Sequence, residues 1–401
     1  MESENYFARP EASAVSEATL IRLLFAREQR LMEGTAESLA LAGRMDALLS
    51  RAVKQRSPAS KDPVGRLMLA LTRACQLRCP YCTMSKEGGH MSPELVRRGV
   101  ELLFAGAHEE LQLHFFGGEP LLKFDLLQQA VLLAESLKER RGKRIRYYVT
   151  TNGLALEKTV LDFLRQFNFT VEFSFDGKEE TYGLQRPAAR GDNLYGRVRA
   201  RLDGLRDSGV PYHITMVVSP ESAERLGENV SHLIEMGHKR IQVNYQNNVY
   251  WSPEALRRLV SALGGIAQEA RLSRFEFLNL DCRREPVMLH SELLLDVDGN
   301  IYPNIGILLE ENFGVTLSDF LIADSASIKT LDEYQLTSFD TFWLLSSVYG
   351  RRNPDLRRLI LNLITVGLTV EEGLQPWSCA TGDRSSAERT MTRELLHLAR
   401  A

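Results

Sequence analysis

The sequence contains no apolar run approaching a membrane span, and its first residues lack the basic-then-apolar pattern of a secretory signal. The expectation is a cytoplasmic protein with no membrane partner. Charge of one sign is also missing. The 49 Lys and Arg stand against 52 Asp and Glu, a formal net charge of −3, with a pI near 6.3. That balance supplies no basic field, so a nucleic-acid partner is not expected. Cysteine is scarce: five in 401 residues, an odd number. Three of the five share one short stretch, which is not a disulfide framework and fits a reducing compartment. No clear repeat and no low-complexity run is present. At 44% hydrophobic residues, the chain can bury one large core plus appendages, arranged as two or three domains.

What is present is an alternation of strand-like and helix-like segments between about 65 and 275. An apolar run from Leu67 is the first strand, and others are predicted at 111–116, 144–149, 169–175, 212–218 and 240–245. Helices are predicted between them. The start at Ser92-Pro93-Glu94 combines an N-cap serine, a first-turn proline and an acid favoured by the helix dipole. Six strands with intervening helices argue for a parallel sheet, because parallel neighbours need crossovers. Residues 1–64 read as a helical segment, closed by a polar, proline-bearing linker at 54–63. It is either a helical cap on the main domain or a docking surface for a partner or a substrate leader. In 276–401 the alternation stops. Asp298-Gly299 signals a hairpin turn within 293–302, and a mostly helical tail follows, including 354–366. The domain expectation is thus 1–64, 65–275 and 276–401.

The first strand runs into a loop holding Cys75, Cys79 and Cys82, spaced Cys-x3-Cys-x2-Cys. Three thiolates on one loop can hold three corners of a cubane iron–sulfur cluster and leave the fourth open to a small molecule. A zinc site is the competing reading. Zinc usually takes four ligands in paired sets, and no matching second pair is present. With Tyr81 just before the third cysteine, the loop resembles the signature of radical S-adenosylmethionine (SAM) enzymes. The resemblance implies one [4Fe–4S] cluster, with SAM chelated at the open iron. It also implies reductive cleavage of SAM to a 5′-deoxyadenosyl radical, and an electron donor such as flavodoxin or ferredoxin. The fold it implies is α/β: a partial (β/α)6 barrel with its site at the strand C-termini.

The other motifs fall just after predicted strands. In Gly117-Gly118-Glu119-Pro120, two glycines let the backbone approach a ligand closely, and their carbonyls can accept from an ammonium group. The run resembles the family's GGEP motif, which receives the SAM amine. Thr150-Thr151-Asn152-Gly153 is either a turn or, by resemblance, a polar strand end near SAM. Ser174-Phe175-Asp176-Gly177, with Arg186 twelve residues after Ser174, resembles the sulfatase-maturase and peptide-maturase branch. There this Ser and Arg contact the SAM carboxylate; a guanidinium fork matches a carboxylate well. By fold analogy, 215–218 lies against the adenine. The amide-rich strand end at 242–248 is either a polar loop or a surface for a peptide backbone or a sugar. The eight histidines are scattered, and none falls in a metal-ligand spacing.

The resemblance continues in decayed form. The branch carries a cysteine-rich extension, SPASM, with auxiliary clusters. Here Cys282 precedes the hairpin, Asn304 stands where its cysteine belongs, Ile305 replaces the following aspartate, and only Cys379 comes later. Two thiols cannot complete a four-cysteine cluster, so a degenerate, mostly helical SPASM-like extension is expected. Ile305 cannot take a proton, which speaks against serine or cysteine oxidation, and without auxiliary clusters the usual electron acceptor is missing, which favours epimerisation, rearrangement or a reaction that consumes one reducing equivalent. Cys282 and Cys379 are either inert packed thiols or hydrogen-atom donors, with Cys379 the preferred candidate. The implied function is hydrogen abstraction from a ribosomally made precursor peptide. The alternatives are a small-molecule substrate, such as a sugar or amino acid derivative, and a non-catalytic binding protein on the same fold. The intact cysteine trio and Gly117–Pro120 run argue against the last.

Overall fold

The structure is a computed structural model that describes residues 17–54, 64–87, 89–272, 275–280, 286–307, 314–350 and 354–377. The strands are β1 (Val64–Thr72), β2 (Glu110–Gly117), β3 (Arg144–Thr151), β4 (Thr170–Ser174), β5 (Tyr212–Val218), β6 (Arg240–Tyr245), β7 (Glu276–Phe277), β8 (Leu293–Leu295), β9 (Asn300–Pro303) and β10 (Ala323–Asp324). The helices are α1 (Glu17–Glu33), α2 (Ala36–Lys54), α3 (Pro93–Ala105), α4 (Phe124–Arg141), α5 (Lys158–Gln166), α6 (Glu179–Gln185), α7 (Tyr195–Ser208), α8 (Leu226–Glu235), α9 (Pro253–Leu272), α10 (Asn304–Ile307), α11 (Ser338–Gly350) and α12 (Pro354–Leu374).

Among the described residues these strands form one sheet of order β10-β9-β8-β1-β2-β3-β4-β5-β6-β7. From β8 through β7 every neighbouring pair is parallel. The six strands read from the sequence are its centre, and the fold is α/β with a mostly parallel sheet. Sequence reading missed β7, α9 and the way the hairpin joins in. The hairpin is β8–β9, turning at Gly299 with φ +86°. β8 pairs parallel to β1 through Met68↔Leu294 and Leu69↔Leu295. β10 then closes antiparallel on β9.

The strand period of two sorts the side chains. Leu67, Leu69, Leu113, Phe115, Val171 and Phe173 are buried on the outer face, which the crossover helices cover. The alternate residues face inward and are largely polar. Met68 on β1 and Asn244 on β6 line the same cavity. A flat sheet would hold those strands about 24 Å apart, so the sheet curls around the cavity. The first crossover helix starts where the sequence signal placed it. Ser92 caps α3, its Oγ accepting from the Leu95 N–H at 3.2 Å.

The chain divides into two compact units, residues 1–62, 337–361 and 381–401 in one and 63–336 and 362–380 in the other. The second holds the whole sheet. In the first, Arg27 reaches both Asp46 and the buried Glu28, and Arg357 stands 2.9 Å from Glu28. No helix among the described residues is long and apolar enough to cross a membrane.

Candidate active site

The C-terminal ends of the strands open on a cavity of about 640 Å³. Its wall includes Ser174 of β4, Thr215 and Val217 of β5 and Gln242 and Asn244 of β6. Cys75, Cys79 and Cys82, all free thiols and partly accessible, lie on the loop after β1 and line this cavity.

Three attachments seat the loop. Thr72 Oγ1 and the Arg73 N–H both donate to the Gly89 carbonyl, at 3.0 and 3.1 Å. Arg73 is buried and its Nε donates to Asp296 Oδ2 at 3.1 Å. Asp296 sits in the β8–β9 turn, so the hairpin braces the cysteine loop. On the other side the Arg78 N–H donates to Pro187 O (2.8 Å), and the Ala189 N–H to Gln76 O (2.9 Å). That pairing draws in the segment just after Arg186.

The sulfurs already attract donors. The Leu77 N–H lies 3.4 Å and Asn152 Nδ2 3.7 Å from Cys75 Sγ. Lys86 Nζ lies 2.8 Å from Cys82 Sγ. Burial pushes the Cys79 thiol up to about 11, against the pull of Arg186. Soft sulfurs on one loop, beside donors and facing a cavity, suit an iron–sulfur cluster. Among the described residues no group of three His, Cys, Asp or Glu is set to hold a single metal ion. A cubane asks something different, one sulfur at each of three irons.

The glycine pair meets the cysteine loop from β2. Gly117 has φ +126°, and a Cβ there would lie 2.3 Å from the Thr72 carbonyl oxygen. At Gly118 it would lie 2.3 Å from the Ala74 oxygen and 2.4 Å from that of Arg73. These glycines are required by the loop packed against them, a reason the sequence alone did not supply. Both line the cavity. Glu119 is fully buried and turns toward β3, accepting from the Asn152 N–H (2.7 Å), Thr151 Oγ1 (2.8 Å) and the Leu121 N–H (3.1 Å). Burial pushes its carboxyl up to about 7 despite those bonds. Pro120, also buried, begins the turn into α4. Asn152 lines the cavity, its Nδ2 3.1 Å from Gln76 Oε1.

Arg186 is buried and lines the cavity, its guanidinium 5.5 Å from the centre of the Tyr81 ring. Its Nε and Nη2 fork onto Asp176 at 2.7 and 3.0 Å. Asp176 also accepts from the Val217 N–H at 2.9 Å. So the Ser-x-Asp-Gly aspartate aims the arginine, whose remaining N–H groups are left for the cavity.

Asn304 and Ile305, at the end of the hairpin, line the cavity as well. So do Gln242, Asn244, Gln246 and Asn247 of the amide-rich strand end. Cys282 and Cys379 lie outside the described residues. The sequence reading passed over His114, Glu172 and His213, which join Thr150 in a group of inward side chains on four successive strands. Motif spacing cannot find them, because each comes from a different strand. Strand parity can, since each sits an even number of residues from another inward position.

Residues 69–233 match the model of the Radical SAM superfamily. The PqqA peptide cyclase of Gluconobacter oxydans is 25% identical over 215 residues, 52% of this chain and 57% of that protein. A serine-type anaerobic sulfatase-maturating enzyme of Klebsiella aerogenes is 26% identical over 192 residues, 46% of this chain and 47% of that protein. The chain thus matches about half the length of these curated relatives. Among solved structures, native anSMEcpe with bound AdoMet has a TM-score of 0.63 at 16% identity, covering 84% of this chain and 100% of that one. At that identity the likeness is one of fold.

Proposed function

Because this chain carries a radical SAM domain over residues 69–233, we propose that it is a radical SAM enzyme whose substrate is a peptide. The observation that carries the reading is the cysteine trio, opening on the cavity with the Gly117-Gly118 turn packed against its loop. When bound, the cluster supplies the electron that cleaves SAM into a radical able to take a hydrogen atom from the substrate.

The chain's own residues do the holding and aiming. Cys75, Cys79 and Cys82 are the thiolate ligands. The Gly117 and Gly118 backbone receives the SAM amine, and Ser174 with the N–H groups Asp176 leaves free on Arg186 receives its carboxylate. Asn152 and Tyr81 flank that site. Glu119 and Pro120 serve it from behind, by fixing the turn that joins β2 to the end of β3. A PqqA peptide cyclase among the relatives supports the peptide reading, as does the carboxamide wall from Gln242 to Asn247, which matches a peptide backbone in hydrogen-bonding capacity. With Ile305 on the wall in place of an acid, and too few thiols for an auxiliary cluster to accept electrons, the favoured chemistry is epimerisation or rearrangement. Cys379 or Cys282 then gives a hydrogen atom to the substrate carbon radical, and the electron donor with a solvent proton reduces the thiyl radical left on that sulfur.

The protein, reconstituted anaerobically with iron and sulfide and given SAM and a low-potential reductant, is expected to form 5′-deoxyadenosine. The Cys79→Ala variant is expected to form none. A wild-type protein that assembles a cluster yet leaves SAM intact would overturn the proposal.

A further inference from the structure

The interior of a closed (β/α) barrel is ordinarily packed with branched apolar side chains. Here a polar belt crosses five consecutive strands: His114 of β2, Thr150 of β3, Glu172 of β4, His213 of β5 and Gln242 of β6, all on the cavity wall. Its bonds have a direction. The Thr150 hydroxyl donates to Glu172 Oε2 at 2.9 Å, so His114 Nε2, 2.8 Å from Thr150 Oγ1, is the donor there.

That leaves Glu172 Oε1. It accepts no hydrogen bond from the described residues, and 25% of the Glu172 side-chain surface is accessible. His213, cross-strand partner of Glu172, holds its Nε2 4.0 Å from this oxygen, beyond bonding distance. His213 is 93% buried, yet Nε2 has no hydrogen-bond partner. Two residues along β5, on the same inward face, the buried Thr215 Oγ1 also has none. Burial holds His213 below the ordinary imidazole range, so the ring stands neutral. Burial works the other way on Glu172, but the His114 and His213 rings, the Thr150 hydroxyl and the His290 ring together outweigh it and leave the carboxyl below its usual range. The neighbouring cation, Arg240, is already engaged, its Nε donating to Glu276 at 2.7 Å.

We propose that Glu172, His213 and Thr215 form the seat for an ammonium-bearing side chain of the substrate. Glu172 Oε1, anionic and accessible, with the partnerless His213 Nε2 and Thr215 Oγ1 buried on the same wall, matches the charge and the donors of a primary ammonium. A hydroxyl brings one donor and no charge. A carboxylate meets repulsion from Glu172. The inference rests on the reading that a peptide enters this cavity, and it names the side chain that peptide presents there.

The test uses the full-length reconstituted protein with SAM and a capped lysine, Nα-acetyl-lysine N-methylamide, observed by saturation-transfer NMR. Capped norleucine and capped glutamate are the controls. Saturable binding of the lysine probe is expected, weakened at least tenfold by Glu172→Gln and several-fold by Thr215→Val, with neither control competing. The inference is overturned if the lysine probe does not bind, if it binds both variants as it binds the wild type, or if the glutamate probe displaces it. Circular dichroism establishes that each variant is folded, and Thr215→Val, which removes no charge, stands in should Glu172→Gln not be. The binding is read without turnover, so a wild-type protein that binds the lysine probe but never cleaves SAM overturns the enzymatic reading and leaves this one standing.

Discussion

Gly118 shows how one residue conditions the site. A methyl group there would meet two carbonyl oxygens of the cysteine loop at 2.3 and 2.4 Å, and both belong to backbone that cannot swing aside. Gly118→Ala is expected to destabilise the protein by on the order of 2 kcal/mol through overpacking, and to reduce iron incorporation. Urea denaturation and iron analysis of the variant check both effects. Asp176 makes a second case. It and Arg186 are both buried, and the fork between them leaves the arginine pointing into the cavity. Removing one partner of such a pair strands a charge, so Asp176→Asn is expected to lose about 3 kcal/mol. SAM affinity is expected to fall with it, as measured by equilibrium dialysis against the folded variant. Unaltered affinity would mean that Asp176 does not aim the arginine.

The elements carry their own signature. His238 lies in the turn between α8 and β6, fully buried, with Nδ1 2.8 Å from the Tyr212 hydroxyl and no partner for Nε2. Burial lowers its pKa to about 4, from the 6.5 of an exposed imidazole. Below pH 6.5 the unfolded chain therefore binds a proton that the folded chain refuses. Stability is expected to fall as pH drops from 6.5 toward 4, by on the order of 3 kcal/mol from this residue. His238→Phe keeps a ring in the turn and should flatten that part of the stability–pH profile; an unchanged slope would remove His238 as its source. The same elements show what was legible in advance. The six central strands and the hairpin could be read because apolar alternation and the Asp298-Gly299 turn are local signals. β7 and β10 could not, being two residues each, too short for a period to register. Nor could the pairing of β8 with β1, because 226 residues separate Met68 from Leu294 and local pattern is silent on such contacts. The cysteine trio was legible as a contiguous motif. The belt from His114 to Gln242 was not legible as a motif: strand parity marks its residues as inward, but only the folded sheet sets them side by side.

At the scale of the whole molecule, the curled sheet turns apolar residues out toward its helices and polar ones in, leaving a cavity where a packed barrel would have a core. Such an interior draws little stability from within, so a bound cluster is expected to contribute by mass action on the folded state. Removing iron with a chelator should lower the thermal midpoint, and anaerobic reconstitution should restore it; a midpoint indifferent to iron would place the cysteine loop outside the cooperative fold. The account as a whole turns on a cluster that three sulfurs hold and one open iron offers to SAM. The most direct measurement is the electron paramagnetic resonance spectrum of the reduced, reconstituted protein, recorded with and without SAM alongside its iron content. About four irons per chain and a spectrum that shifts when SAM is added are the predicted result. A full complement of iron with a spectrum that SAM leaves unmoved would contradict it.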